Sequence, residues 1–142
     1  MTVKQLSVFI ENRQGRLGEV LDVLRKNNVS ILSMSLADTT EYGLLRLIVN
    51  KPEEGCKVLL DAGFSGILTD VIIIKIPHKP GSLQEILSRI AAADINIEYM
   101  YGLSVESDNA YVVLKASDSA KVDAILTSNG VETISCKELA NI

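Results

Sequence analysis

The chain has two cysteines, one histidine, three prolines, no tryptophan and an aromatic share of only 4%. Each shortage removes a class of function. Cys56 and Cys136 stand far apart with no CxxC and no Cys/His spacing, so neither a disulfide framework nor a soft-metal site is encoded. Two reduced thiols are the expectation. With His78 as the lone imidazole there is no cluster to ligate a metal. A sheet that reads RNA needs rings on its central strands for bases to stack on. The corresponding segments here read RLIV (Arg46 to Val49) and YVVL (Tyr111 to Leu114). A formal net charge of −4 argues against nucleic acid, whose affinity for proteins rests on phosphates neutralised by Lys and Arg. Apolar runs such as Val71 to Ile74 fall far short of the roughly 20 residues a membrane helix needs. The opening MTVKQLSVFIENRQ does not read as a secretory leader. A cytoplasmic protein with no nucleic-acid or membrane partner is expected.

What the chain does have is a repeat. LSVFIENRQGRLGEVLDVLRKNNVSI (Leu6 to Ile31) and IIIKIPHKPGSLQEILSRIAAADINI (Ile72 to Ile97) share one pattern. Both hold an apolar run, a polar break ending in Gly, an apolar stripe at helical spacing and a polar pair leading into apolar residues. Gly15 and Gly81, Leu17 and Leu83, Val20 and Ile86, Leu21 and Leu87, and Leu24 and Ile90 all stand 66 places apart. A unit of about half the chain is too long for a solenoid repeat of roughly 20–50 residues and has the size of a small domain. Two domains are expected, residues 1–69 and 70–142, with little linker at Thr69-Asp70. Cores this small gain from shared burial, so the two sheets are expected side by side and joined.

Within the first copy, Leu6, Val8 and Ile10 alternate as on a half-buried strand. Leu17, Val20, Leu21 and Leu24 follow at helical spacing, and Asn27-Asn28 ends the helix. Ile31 to Ala37 and Leu44 to Val49 read as strands around a polar turn, Asp38 to Gly43. Pro52 opens a second helix that Gly63 stops, and Phe64 to Thr69 is a fourth strand. The second copy repeats this order: a strand Val71 to Ile76, a helix Leu83 to Ala92, and strands Ile95 to Leu103 and Ala110 to Ala116. A helix capped by Asp118 and closed by Asn129-Gly130 follows, then a strand Val131 to Ser135 and a loose tail from Leu139. Each copy is β-α-β-β-α-β, which with right-handed crossovers is an α+β, ferredoxin-like sandwich with both helices on one face of an antiparallel sheet.

Catalysis finds little support. His78 and Ser82 flank Pro80-Gly81, but no orienting carboxylate or oxyanion motif accompanies them. Glu11, Asp22 and Glu85 read as solvated surface charges, and GRLG (Gly15 to Gly18) is not a phosphate loop. No catalytic residue, metal or cofactor is expected. The glycine turn before the first helix of each copy is another matter. Glycine lets a ligand approach the backbone, and the helix start behind it offers unpaired N–H groups suited to a small carboxylate. A tight strand-to-helix turn would also want glycine for backbone reasons alone, and the residues leave both readings open.

HKPGSLQEILSRIAAADINI resembles the signature of ACT domains, small β-α-β-β-α-β regulatory modules with a PG turn, an L-x-x-I-L helix and an "NI" entering the second strand. ENRQGRLGEVLDVLRKNNVSI is similar, without the Pro before Gly15 and with Ser30 where Asn96 stands. The whole chain thus resembles a stand-alone tandem ACT protein. The resemblance implies a regulatory sensor of amino-acid metabolism that binds a free amino acid between paired modules at these turns. Carried over by position, the ligand residues are Asn12, Arg13, Gln14, Gly15, Arg16 and Leu17 in one copy. In the other they are His78, Lys79, Pro80, Gly81, Ser82 and Leu83, with Asn96 and Ile97 on the next strand. The enzyme it controls would be a separate chain, and a homodimer is left open. The alternative is an interaction or assembly module that needs no ligand.

Overall fold

A computed structural model describes residues 1–38 and 41–139. The elements, in chain order, are β1 (Val3–Glu11), α1 (Arg16–Lys26), β2 (Ile31–Asp38), β3 (Tyr42–Val49), α2 (Pro52–Asp61) and β4 (Ser65–Pro77). After them come α3 (Ser82–Ala92), β5 (Ile97–Val105), β6 (Asn109–Ala116), α4 (Ser119–Ser128), β7 (Glu132–Thr133) and α5 (Cys136–Leu139). Part of the expected turn between β2 and β3, residues 39–40, and the end of the expected tail, residues 140–142, lie outside the described residues.

The described chain divides into two compact units. In the unit Lys4–Thr69, β2 pairs antiparallel with β3, β3 with β1, and β1 stands next to β4. Leu6, Val8 and Ile10 share one face of the sheet with Leu45, Leu47 and Val49. Val20 and Leu24 from α1 and Leu59 from α2 close over that face. Apolar residues two apart on strands and four apart on a helix each make a single sticky surface, and burying one on the other is what fixes both. Gly55 of α2 lies against this core, where a Cβ would stand in ordinary contact with Leu6, Leu24 and Val29 at 3.4 to 3.6 Å.

The second unit holds Asp70–Leu139 together with Met1–Val3, and the N-terminal ammonium is ion-paired with Asp123 of α4. Here β5 pairs with β6, β6 with β4 and β4 with β7, all antiparallel. Its core repeats the first: Ile72, Ile74, Ile76, Val112 and Leu114 from the sheet, Ile86 and Ile90 from α3, Val122 and Leu126 from α4. The protein is therefore α+β, two βαββαβ-like repeats, each an antiparallel sheet with its helices on one side.

Four details depart from expectation. Leu21 and Leu87 are only half-buried; the buried stripes run through Val20 and Leu24 and through Ile86 and Ile90. The two strands expected at Phe64 to Thr69 and Val71 to Ile76 are one strand, β4, because Asp70 continues the extended backbone instead of breaking it. The final strand is only the two residues of β7, followed by a backbone bond from Ile134 N–H to Ile73 carbonyl at 3.0 Å. Leu139 then turns inward on α5 and is buried, where a loose tail was expected to begin.

The helix stops follow side-chain chemistry. Asn28 and Asp94 take the left-handed conformation, φ 58° and 63°, after α1 and α3. Asn and Asp are the non-glycine residues that reach this region most easily.

Candidate functional site

Both first helices open the same way. Gly15 precedes α1 with φ 88° and ψ −14°, and Gly81 precedes α3 with φ 88° and ψ −12°. In each, the glycine carbonyl accepts the first helical bond, from Glu19 N–H and Glu85 N–H, both at 3.0 Å. No side chain caps either helix. By contrast, α4 is capped in the ordinary way, the Asp118 carboxylate accepting from Lys121 N–H at 3.1 Å. The N–H groups of α1 and α3 that a cap would satisfy are left facing whatever lies above the turn, with the positive end of the helix dipole behind them. An added Cβ at either glycine would meet no atom within 4 Å, so the approach to the backbone is open.

Around the first turn the structure brings three of the predicted residues together. Asn12, Arg13 and Leu17 line a recess of about 100 Å³ with Ile10, Glu11, Leu36 and Gly43. The backbone is held by Asn12 N–H to Glu41 carbonyl at 3.0 Å, and Arg13 Nε donates to the Glu11 carboxylate at 2.8 Å. Gln14 is exposed beside Gly15. Arg16 turns away from the recess: its guanidinium lies 4.3 Å from the centroid of the Phe64 ring and pairs with Glu19.

Around the second turn, His78, Lys79 and Pro80 are exposed, and His78 N–H donates to Asp108 carbonyl at 2.9 Å. Leu83 packs against the core of its unit. Lys79 and Ser82 line a larger cavity, of about 270 Å³, that sequence reading did not foresee. The rest of the predicted set does not join it. Asn96 is exposed and its backbone is tied to Ser117, with N–H to Oγ at 3.2 Å and carbonyl to Ser117 N–H at 2.9 Å; Ile97 packs into the core. Among the described residues no three His, Cys, Asp or Glu side chains gather as a metal site, and no helix is long and apolar enough to cross a membrane.

The sequence matches the ACT domain pair family over residues 1–142. No curated protein matches it in sequence. Among solved structures, a protein of Bacteroides thetaiotaomicron is 36% identical, with 100% of this chain and 98% of that chain covered and a TM-score of 0.94. The regulatory subunit of aspartate kinase from Thermus thermophilus, in a ligand-free form, is similar at 15% identity over 89% of this chain and 90% of that one, TM-score 0.66. Its counterpart from Thermus flavus is similar at 15% identity over 87% and 88%, TM-score 0.63. At that identity the two regulatory subunits share the fold.

Proposed function

We propose that this protein, which belongs to the ACT domain pair family, is a cytoplasmic regulatory sensor that binds a free amino acid and passes its occupancy to a separate enzyme of amino-acid metabolism. The observation that carries the reading is the uncapped, left-handed glycine start of α1 and α3. Such a start holds N–H donors ready for a carboxylate and gives up roughly the few tenths of a kcal/mol by which a side-chain cap exceeds glycine. That loss is understandable where a ligand supplies the acceptor.

The amino acid's carboxylate would take the N–H groups following Gly15 or Gly81. Its remainder would meet Asn12, Arg13, Gln14, Arg16 and Leu17 at the first turn, or His78, Lys79, Pro80, Ser82, Leu83, Asn96 and Ile97 at the second. The similarity in fold to the regulatory subunits of aspartate kinase supports a non-catalytic role and an enzyme as partner.

The reading is tested by melting the protein with each of the twenty amino acids at ~1 mM. At about 100 times its dissociation constant the bound amino acid adds about 2.7 kcal/mol, which at this size raises the midpoint by several degrees. No shift with any of the twenty would remove the sensor reading.

A second reading, an assembly module without ligand, draws on β2. It is the outermost strand of its unit, and Met34 and Leu36 on it are 41% and 48% exposed. Unpaired strand edges with apolar side chains favour association, here as a homodimer. Sedimentation equilibrium with and without amino acids separates the two readings.

A further inference from the structure

The two repeats differ most usefully at one pair of equivalent places. In the first, Arg16 is the opening residue of α1, and Phe64 follows the left-handed Gly63 (φ 91°) that ends α2. The Arg16 guanidinium stacks on the Phe64 ring at 4.3 Å and pairs with Glu19 one turn along. In the second repeat the backbone is the same. Ser82 N–H reaches Lys79 carbonyl at 3.3 Å as Arg16 N–H reaches Arg13 carbonyl at 3.4 Å, and Val131 N–H reaches Leu126 carbonyl at 2.9 Å as Phe64 N–H reaches Leu59 carbonyl at 2.9 Å. The side chains are not the same. Serine replaces arginine and valine replaces phenylalanine, while Glu85 keeps the place of Glu19. Two large groups that fill the space in one repeat are small in the other, and the cavity of about 270 Å³ lies there, with Ser82, Glu85 and Val131 in its lining.

A void left only by small residues would be apolar and costly. This one is polar and positive. Lys75, Lys79 and Arg89 stand against the single carboxylate of Glu85. Arg89 is paired with Glu85 at 3.3 Å and Lys75 with Glu132 at 3.6 Å, whereas the Lys79 ammonium has no partner among the described residues. The Ser82 Oγ is buried and makes no hydrogen bond. Arg16 Nε, at the equivalent place of the first repeat, is likewise buried and unbonded, so the opening residue leaves a polar atom unpaired in both repeats, and only in the second does a cavity lie beside it. The volume is several times the roughly 30 Å³ of one water and close to the ~300 Å³ at which small-molecule sites begin.

We propose that this cavity is a second ligand site, for a compact dianion such as a phosphate group or a small dicarboxylate. Lys79 and Arg89 hold the charge, Ser82 Oγ donates to it, and the Asn129 amide and Gly130 close the rim. It shares Lys79 and Ser82 with the amino-acid reading of the second turn and departs from it in using Arg89 and Asn129 instead of the N–H groups after Gly81. The recess of the first repeat lies on the Leu17 side of its turn, whereas this cavity lies on the flank of α3 that carries Ser82, Glu85, Ile86 and Arg89, spaced at i, i+3, i+4 and i+7. The arginine-over-phenylalanine stack denies the first repeat an equivalent site.

Isothermal titration of the full chain in chloride buffer, with inorganic phosphate in one arm and succinate in the other, tests this. Saturable binding of at least one probe is expected, and the stronger arm names the chemistry. Lys79→Ala and Ser82→Ala should each weaken it at least about tenfold, the scale of one lost bond to a charged group. Lys57→Ala, on α2, should leave it unchanged. Ser82→Arg with Val131→Phe, which rebuilds the filled arrangement of the first repeat, should abolish binding while the protein melts no lower than before. Absence of saturable binding in both arms overturns the proposal. So does binding that neither Lys79→Ala nor Ser82→Ala weakens, and those two variants decide the matter even where the double variant fails to fold.

Discussion

Gly15 and Gly81, at equivalent places in the two repeats, both hold φ at 88°, and at neither would a Cβ touch another atom within 4 Å. Replacement by alanine is therefore opposed by backbone conformation alone. Gly15→Ala and Gly81→Ala should each lower stability by about 1–2 kcal/mol, the cost of a left-handed non-glycine residue. Gly102 of β5 has equally open surroundings and no positive φ, so Gly102→Ala should cost nothing or stabilise slightly. Urea unfolding of the three variants checks the contrast.

The cores make a sharper claim about the helices. Leu24 is 1% exposed and Ile90 0%, each within a cluster of its own unit. Leu24→Ala and Ile90→Ala should each cost about 2–5 kcal/mol. Leu21→Ala, one helical step off the buried stripe, should cost clearly less, because a half-buried leucine loses less transfer free energy and leaves no closed cavity. Equal losses at Leu21 and Leu24 would contradict the packing.

Asp22 supplies a pH test. Arg25 donates to its Oδ1 from Nη2 at 2.7 Å, and the Lys26 ammonium lies 3.0 Å from Oδ2. Arg25 first, then Lys26, hold the carboxyl below its ordinary value of 3.8 against a smaller opposing effect of desolvation. A depressed folded-state pKa means stability that is fully present above the unfolded value and is lost as pH falls through the folded one. Asp22→Asn should therefore be less stable than the parent at pH 7, with the deficit shrinking as pH drops below 3.8. The pair is solvent-exposed, so the deficit should be small and should fade in high salt. Midpoints of urea unfolding across the acid range measure it.

Periodicity made the order of elements legible, because Leu6, Val8 and Ile10 or Val20 and Leu24 can bury themselves in only one kind of backbone. Helix ends were legible where a residue has one chemical reason to be there, as at Asn28, Pro52, Gly63, Asp118 and Gly130. The strand break expected at Asp70 was illegible because polarity alone does not bend a backbone. The burial of Leu139 was missed because a helix of four residues is too short to show a periodicity. The glycine turns were legible as turns, because a left-handed backbone between strand and helix wants glycine whatever lies above it. The cavity beside α3 left its trace in the sequence as Ser82 against Arg16 and Val131 against Phe64, a difference that gains meaning only when the two pairs are known to meet in space.

The central claim, that a free amino acid is held at the uncapped start of α1 or α3, is tested most directly by backbone amide chemical shifts during titration with the amino acid that raises the melting midpoint. The account predicts that the N–H signals of residues 15–17 or of residues 81–83 move first and saturably, and that the methyl ester of the same amino acid moves neither set. A stabilising amino acid whose titration leaves both sets unmoved, or whose methyl ester moves them equally, would contradict it.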